Sequence, residues 1–366
     1  MSYTSYALND PLTVKLWSKK LAVEANKSID IDPLIGESDQ SIIQVKTETK
    51  KGNGDQVTFG LRMQLKGPGF SSGDVAEGNG EQLGTNSDKV TIDELGHVVG
   101  AKSENTIDAQ RVPFNLREQA RAGLADWFMT RKTLSFFGHV CGATPYNGAP
   151  FGKKYTANNA ITAPSAGRIL RPNKRADDGA LVAGDFFTLD LIDKAVELAK
   201  TGGSAGKVMI RPVVVDGQKM YVMYLHSSQV TSLRTNTGAG QWLDIQKAAM
   251  AGMQSAKSPI FSGALGVYNN VVLRESQDIT QGVSANGAAF VPNTRRAVLL
   301  GAQAATIAYG KAGGADQYRW NEELLDHKRN LEVSAWAIWG LKKTTFNGDD
   351  FATIVIPTYA APADAA

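Results

Sequence analysis

The amino-acid sequence predicts an α+β fold. Three observations carry that prediction. Residues 57–65 alternate strictly, with Val57, Phe59, Leu61, Met63 and Leu65 on one side and polar residues or glycine on the other, the period of a half-buried strand. Residues 111–142 keep a helical period over an unusual length. From 188 to 356, helical and strand-like runs mix without the regular alternation of a parallel α/β fold.

Taken in order, DPLTVKLWSKKLAVEANKS (10–28) begins like a helix, with Asp10 as N-cap and Pro11 at the first helical position. Its apolar side has little nearby to pack on, so it reads as an arm. SIIQVKTETKKGNGDQVTFGLRMQL (41–65) reads as a strand, a turn and the alternating strand, followed by a Gly-rich tip at 67–84 and a returning strand at 88–100. Such a long hairpin is marginal alone, because one face has no partner. The apolar stripe must be covered by another part of the molecule or by another molecule.

RVPFNLREQARAGLADWFMTRKTLSFFGHVCG (111–142) starts at a cap pair, Asn115 with Glu118. Leu116, Ala120, Leu124, Trp127, Leu134 and Phe137 broadly share one face. About 25 helical residues would span roughly 37 Å, a structural spine. Residues 143–184 are loop-rich. A helix is expected at 188–203 between Thr188 and Gly202, a hairpin at 207–228 turning at Asp216-Gly217, and a helix at 242–253. Strands are expected at 269–276 and 295–302, the second leading into a short helix, and two more near the end.

Composition bounds the function. The chain has 366 residues, 42% hydrophobic and 20% charged, which suits one large domain or two ordinary ones with a real core. A net charge of +3, without a block of five Lys or Arg, argues against a nucleic-acid-condensing protein. One cysteine, Cys141, excludes an internal disulfide framework. The N-terminal segment lacks a basic start and an apolar core, and AVLLGAQAATIA (297–308) is about two-thirds of a membrane span. The expectation is a soluble protein made in a reducing cytoplasm.

No chemical motif survives its context. GGSAG (202–206) fits the hydrolase-elbow pattern around Ser204, but a helix precedes it and a strand follows, the reverse of what that motif needs. The same stretch lacks the first glycine and the hydroxyl of a phosphate loop. His139 and Cys141 supply two of the four ligands that a structural zinc wants. The pairs Glu322-Glu323 and Asp349-Asp350 would point apart on strands. No catalytic residue, cofactor or metal site is assigned. A hydrolase using Ser204, or a protein-binding module whose hairpin clasps a partner, are the rival readings.

Several stretches, in order over nearly the whole chain, carry a resemblance: YALNDPLTVKLWSKKL (6–21), the 41–65 segment, VAEGNGEQL (75–83), RVPFNLREQARAGLADW (111–127), YLHSSQV (224–230), SPIFSGALGVYNNVVLRES (258–276) and WGLKKTTFNGDDFATIVI (339–356). The chain resembles tailed-bacteriophage major capsid proteins of the family typified by the coliphage N-four coat protein. One departure is His327, where that family leads one to expect a tyrosine.

The resemblance implies a Hong Kong 97 phage-type major capsid fold. It implies an N-terminal arm (1–45), an extended loop (46–105), a peripheral domain with the spine helix (106–184), an axial domain (185–315) and return strands to the peripheral domain (316–366). It also implies self-assembly into hexamers and pentamers of an icosahedral shell around double-stranded DNA. The other implied partners are a portal and a scaffolding or decoration protein, with no membrane. Assembly would take place in the host bacterial cytoplasm. On this reading Val57, Phe59, Leu61, Met63 and Leu65 are inter-subunit contacts, and the Gly-rich tip lets one sequence bend differently in hexamers and pentamers.

Overall fold

The computed structural model describes residues 31–48, 54–62, 65, 67–82, 85–103, 106–147, 159–203, 207–215, 217–235, 264–311 and 319–363. The helices expected at 10–28 and 242–253 lie outside them.

In chain order the strands are β1 (Ile35–Gly36), β2 (Ile43–Lys46), β3 (Gln56–Arg62), β4 (Thr85–Thr91), β5 (Asp93–Lys102), β6 (Val213–Val215), β7 (Gln218–Leu225), β8 (Ala264–Tyr268), β9 (Val271–Glu275), β10 (Gly282–Val283), β11 (Phe290–Val291), β12 (Thr294–Leu300), β13 (Ala305–Tyr309), β14 (Arg319–Leu325), β15 (Asn330–Lys343), β16 (Thr345–Phe346), β17 (Asp349–Asp350) and β18 (Thr353–Tyr359). The α-helices among the described residues are α1 (Ile107–Arg111), α2 (Leu116–Val140), α3 (Leu189–Thr201) and α4 (Ser227–Thr235). The fold is α+β, as the pattern predicts.

Two sheets make the body. The first is built on the long strand β15. It pairs with β5 along Asn330–Trp339, with β14 along Asn330–Trp336, and with β13 along Trp339–Lys343, all antiparallel. β13 then pairs in parallel with β2, and β2 with β1. The second sheet runs β18-β12-β7-β9-β8, with β6 on β7. β3 and β4 form a separate two-stranded ribbon.

The spine helix α2 joins the two sheets. The Asn115 side chain accepts from the backbone N–H of Arg117 and Glu118 at 2.9 and 3.3 Å, which satisfies two of the orphan donors at the helix start. Over its first turns α2 buries one face, Leu116, Ala120, Leu124 and Phe128, and lies against β5 and β15. Trp127 stacks on His97 of β5 with ring centroids 4.8 Å apart. From Ser135 onward every residue of α2 is buried, and Phe137 meets Tyr224 of β7 edge-on. A helix that is apolar on one stripe at its start and enclosed all round at its end carries one continuous core from the first sheet into the second.

α3 closes the second sheet with Leu189, Leu191, Ile192, Ala195, Val196 and Ala199 turned inward. It stops at Gly202, φ +73°, where any Cβ would stand 2.0 Å from the carbonyl oxygen of Lys207. Only glycine fits that left-handed cap.

The structure differs from the sequence expectation in four places. Residues 43–46 do not pair with the hairpin but lie parallel to β1 and β13. Ile42 and Ile43 are adjacent and both buried, so this strand is covered on both faces, as internal parallel strands are. The stretch after residue 300 does not become a helix. It turns at 301–304, with Gln303 at φ +59°, and re-enters the first sheet as β13. β14, at 319–325, is a strand that the sequence reading passed over. The last strand, β18, pairs along the whole of β12 and belongs to the second sheet. Its free edge is covered by the chain at 168–170, where the Leu170 N–H donates to the Val355 carbonyl and the Val355 N–H to that of Arg168.

Candidate assembly surface

The ribbon β3–β4 has a covered root and an uncovered tip. At the root, Val57 and Phe59 are 6% and 9% exposed and pack with Val90, Ile92, Ala308 and Ile338 of their own chain. Lys46 lies over the Phe59 ring, 5.5 Å from its centroid. Leu61 continues the strand opposite Asn86, and Met63 lies outside the described residues. Leu65 is 59% exposed. Of the stripe read from the sequence, two side chains are therefore sheltered at home and the outermost is bare.

Polar contacts fix the root to the body. Asp88, buried among mostly exposed neighbours on β4, accepts from the Lys342 ammonium, from the Thr345 N–H at 3.0 Å and from the Thr345 hydroxyl at 3.3 Å. The Asn159 amide serves both backbone groups of Thr91, accepting from its N–H at 2.9 Å and donating to its carbonyl at 2.7 Å.

Segment 159–187, most of it within the loop-rich 143–184, is held by buried charge. The Asp178 carboxylate is fully enclosed and accepts from Arg171 at 2.8 Å, Arg296 at 2.7 Å and the Val283 N–H at 3.0 Å. Arg296 also donates to the carbonyls of Cys141 and Gly142 at the end of α2. Arg168 donates to the carbonyls of Asp350 and Val208. Buried charges survive only when paired and hydrogen-bonded, so this seam ties α2, the 159–187 segment and β12 into one arrangement.

The residues singled out for chemistry take structural places. Asp349 and Asp350 diverge, as neighbours on a strand do. Asp349 accepts from Lys207 at 2.7 Å, while Asp350 pairs with the buried Lys343 at 2.7 Å. Burial pushes the Lys343 amine down, with Asp350 opposing that shift. Glu322 receives Arg117 and Arg121 of α2, which holds its carboxyl below the usual range. His139 is enclosed, and burial next to Lys343 and Lys342 pushes its pKa down to about 3. Burial pushes the Cys141 thiol up to about 11, the behaviour of a packed residue rather than a reactive one. Ser204 lies outside the described residues. The chain around it runs from α3 on to β6, helix before strand, the order a nucleophile elbow does not have. Among the described residues no group of three His, Cys, Asp or Glu could hold a metal, and no helix is long and apolar enough to cross a membrane.

The exposed tip has apolar residues that the Gly-rich composition conceals. Phe70 and Val75 are 51% and 70% exposed, as Leu65 is. Every described residue from 67 to 82 is exposed. The ribbon thus carries exposed apolar side chains at its end, in a segment otherwise rich in glycine and polar residues.

Comparison with known proteins gives the family. Residues 5–362 match the phage capsid protein family. No curated protein matches. Among solved structures, the chain is similar to the capsid of Ralstonia phage GP4, with 34% identity over 99% of both chains and a TM-score of 0.82. It shares its fold with the cyanophage Pam1 capsid (20% identity, 97% of this chain and 99% of that one, TM-score 0.69). The same holds for the head protein of Helicobacter pylori bacteriophage KHP40 (15% identity, 96% of each chain, TM-score 0.64). With the two-sheet body, the spine helix and the projecting ribbon, these matches place the chain in the phage capsid protein family, as a major capsid protein of Hong Kong 97 phage-type fold with a structural, non-enzymatic role in the icosahedral shell of a tailed phage.

Proposed function

We propose that this capsid protein belongs with the coat proteins typified by that of coliphage N-four, and that it tiles hexamers and pentamers around double-stranded DNA. Its division into arm (1–45), extended loop (46–105), peripheral domain (106–184), axial domain (185–315) and return segment (316–366) is part of this reading. β18, within the return segment, is shared with the second sheet. Assembly takes place in the host bacterial cytoplasm with a portal and a scaffolding or decoration protein. The small net charge suits a wall that meets DNA through nonspecific phosphate contacts.

One observation carries the assembly reading: the ribbon ends in apolar side chains that its own chain does not cover. The stripe Val57, Phe59, Leu61, Met63 and Leu65 is the proposed inter-subunit contact. Val57 and Phe59 act as its anchored end and Leu65 as its outer end, with Phe70 and Val75 adjoining. Fully burying one such side chain contributes roughly 1.5 to 3 kcal/mol, so repetition over a shell makes weak contacts sufficient.

Deleting residues 67–84 should leave a folded, soluble chain by circular dichroism that no longer forms closed particles by electron microscopy. Normal closed shells from that variant would refute the contact.

A further inference from the structure

The sequence holds Asn-Gly pairs at 53–54, 79–80, 147–148, 286–287 and 347–348. An Asn-Gly pair can react with itself. The glycine nitrogen gives up its proton and attacks the side-chain carbonyl carbon of the asparagine, ammonia leaves, and a five-membered imide forms. Water then opens the imide to aspartate or, through the other carbonyl, to isoaspartate. The net change is one water in and one ammonia out. Closure needs a glycine N–H that nothing else holds, an asparagine side chain that can turn, and a backbone free to rotate, which a residue without Cβ permits best. The fold grants these freedoms unequally to the three pairs that lie wholly within the described residues.

At Asn286-Gly287 the nucleophile is occupied: the Gly287 N–H donates to the Ser284 carbonyl at 2.8 Å. The Asn286 side chain is fixed as well, accepting from the Ser284 hydroxyl at 2.7 Å and the Ala288 N–H at 3.1 Å. Asn347 and Gly348, at φ +50° and +80°, are the two-residue turn between β16 and β17. Rotating that turn would disturb Asp349 on Lys207 and Asp350 on the buried Lys343. Asn79 and Gly80 are both exposed and lie in no regular element. The bonds of Asn79 reach backward, its N–H to the Ala76 carbonyl at 3.2 Å and its amide to the Val75 carbonyl at 2.9 Å. Among the described residues the Gly80 N–H has no acceptor, and a Cβ there would meet open space.

We infer that Asn79 is a self-modification site of this chain, converting to aspartate or isoaspartate by attack of the Gly80 nitrogen, and that conversion disables the tip as a contact. The first half stands on the local geometry alone. The second rests on the assembly reading above. Each event adds a carboxylate to a tip that already exposes Asp74, Glu77 and Glu81, close in sequence to the bare Phe70 and Val75, and isoaspartate also lengthens the backbone there.

Peptide mass spectrometry of the purified unassembled chain, held at mildly alkaline pH and sampled over days, tests the first half. Labelling by an isoaspartate-specific methyltransferase identifies the product. The peptide containing Asn79 should convert at least about tenfold faster than those containing Asn286 or Asn347, whose closure waits on local opening. In urea the three rates should converge, because the restraints are gone. Gly80→Ala should slow conversion at Asn79 several-fold and leave the other two unchanged.

Three pairs converting alike in the folded chain, or Asn286 or Asn347 leading, would overturn the site. So would a rate at Asn79 that Gly80→Ala does not change. For the second half, the chain is aged first and assembled afterwards, so that protection inside a shell cannot mimic exclusion from it. Converted chains should then be enriched in the fraction left unassembled. Equal shares of converted chain in shells and in the remainder would overturn the effect on assembly. Deletion of 67–84 tests the contact itself, so a failure of that reading is distinguishable from a failure of this one.

Discussion

His139 shows how far a residue's place determines its chemistry. In sequence it stands two residues from Cys141 and suggests a metal or a reactive pair. In the fold it closes the last turn of α2 with no solvent around it and two lysines in range. Burial and those charges both disfavour the imidazolium. The unfolded chain takes up a proton near pH 6.5 that the folded chain refuses until about pH 3, so the stability this site contributes is full above 6.5 and falls as pH drops. Between pH 6.5 and 4.5 the loss is about 3 kcal/mol, from the two-unit span below the ordinary value. His139→Phe should remove that part of the pH dependence, measured as urea unfolding of the unassembled chain at pH 7 and pH 4.5. An unchanged difference between the two pH values would reject the assignment. The same lesson holds for Asp349 and Asp350: the sequence shows a carboxylate pair, and strand geometry sends one to Lys207 and the other to Lys343.

At the scale of elements, the legible features are those written locally. Asn115 marks the start of α2 because its side chain reaches the N–H groups two and three residues on. Asn115→Ala should cost about 1 kcal/mol in urea unfolding with shell assembly retained, the usual value of a lost cap. Gly202 marks the end of α3, and alternation over 57–61 marks β3. The illegible features depend on what lies opposite. Residues 297–308 read as one apolar run, but they are the ends of two strands in two different sheets, because apolar runs covered on every side carry no period to distinguish helix from strand. β14 is not legible locally because exposed residues of both kinds, among them Glu323 and Leu324, leave it without a clear alternation, and Glu322 meets Arg117 of α2, some two hundred residues away.

Over the whole molecule, one ribbon serves two kinds of contact, and substitutions should separate them. Phe59→Ala removes a ring from the chain's own packing and should destabilise the unassembled protein by about 3 to 5 kcal/mol. Phe70→Ala removes a half-exposed ring of the tip and should stay within about 0.5 kcal/mol in the same unfolding measurement while lowering shell yield. Equal effects of the two on unassembled stability would remove the distinction. By itself the sequence determined the class of fold, the helix ends, the hairpin and the absence of a local catalytic motif, since periodicity, caps and turn residues act over a few neighbours. Only the tertiary structure decided that Val57 and Phe59 of the stripe are sheltered at home, that 43–46 lies beside 305–309, that the final strand pairs in the second sheet, and that buried arginines and aspartates bind the 159–187 segment to α2 and β12. Each of those outcomes depends on which distant surface arrives opposite a given side chain, and burial and pairing energies are properties of that meeting rather than of the residue.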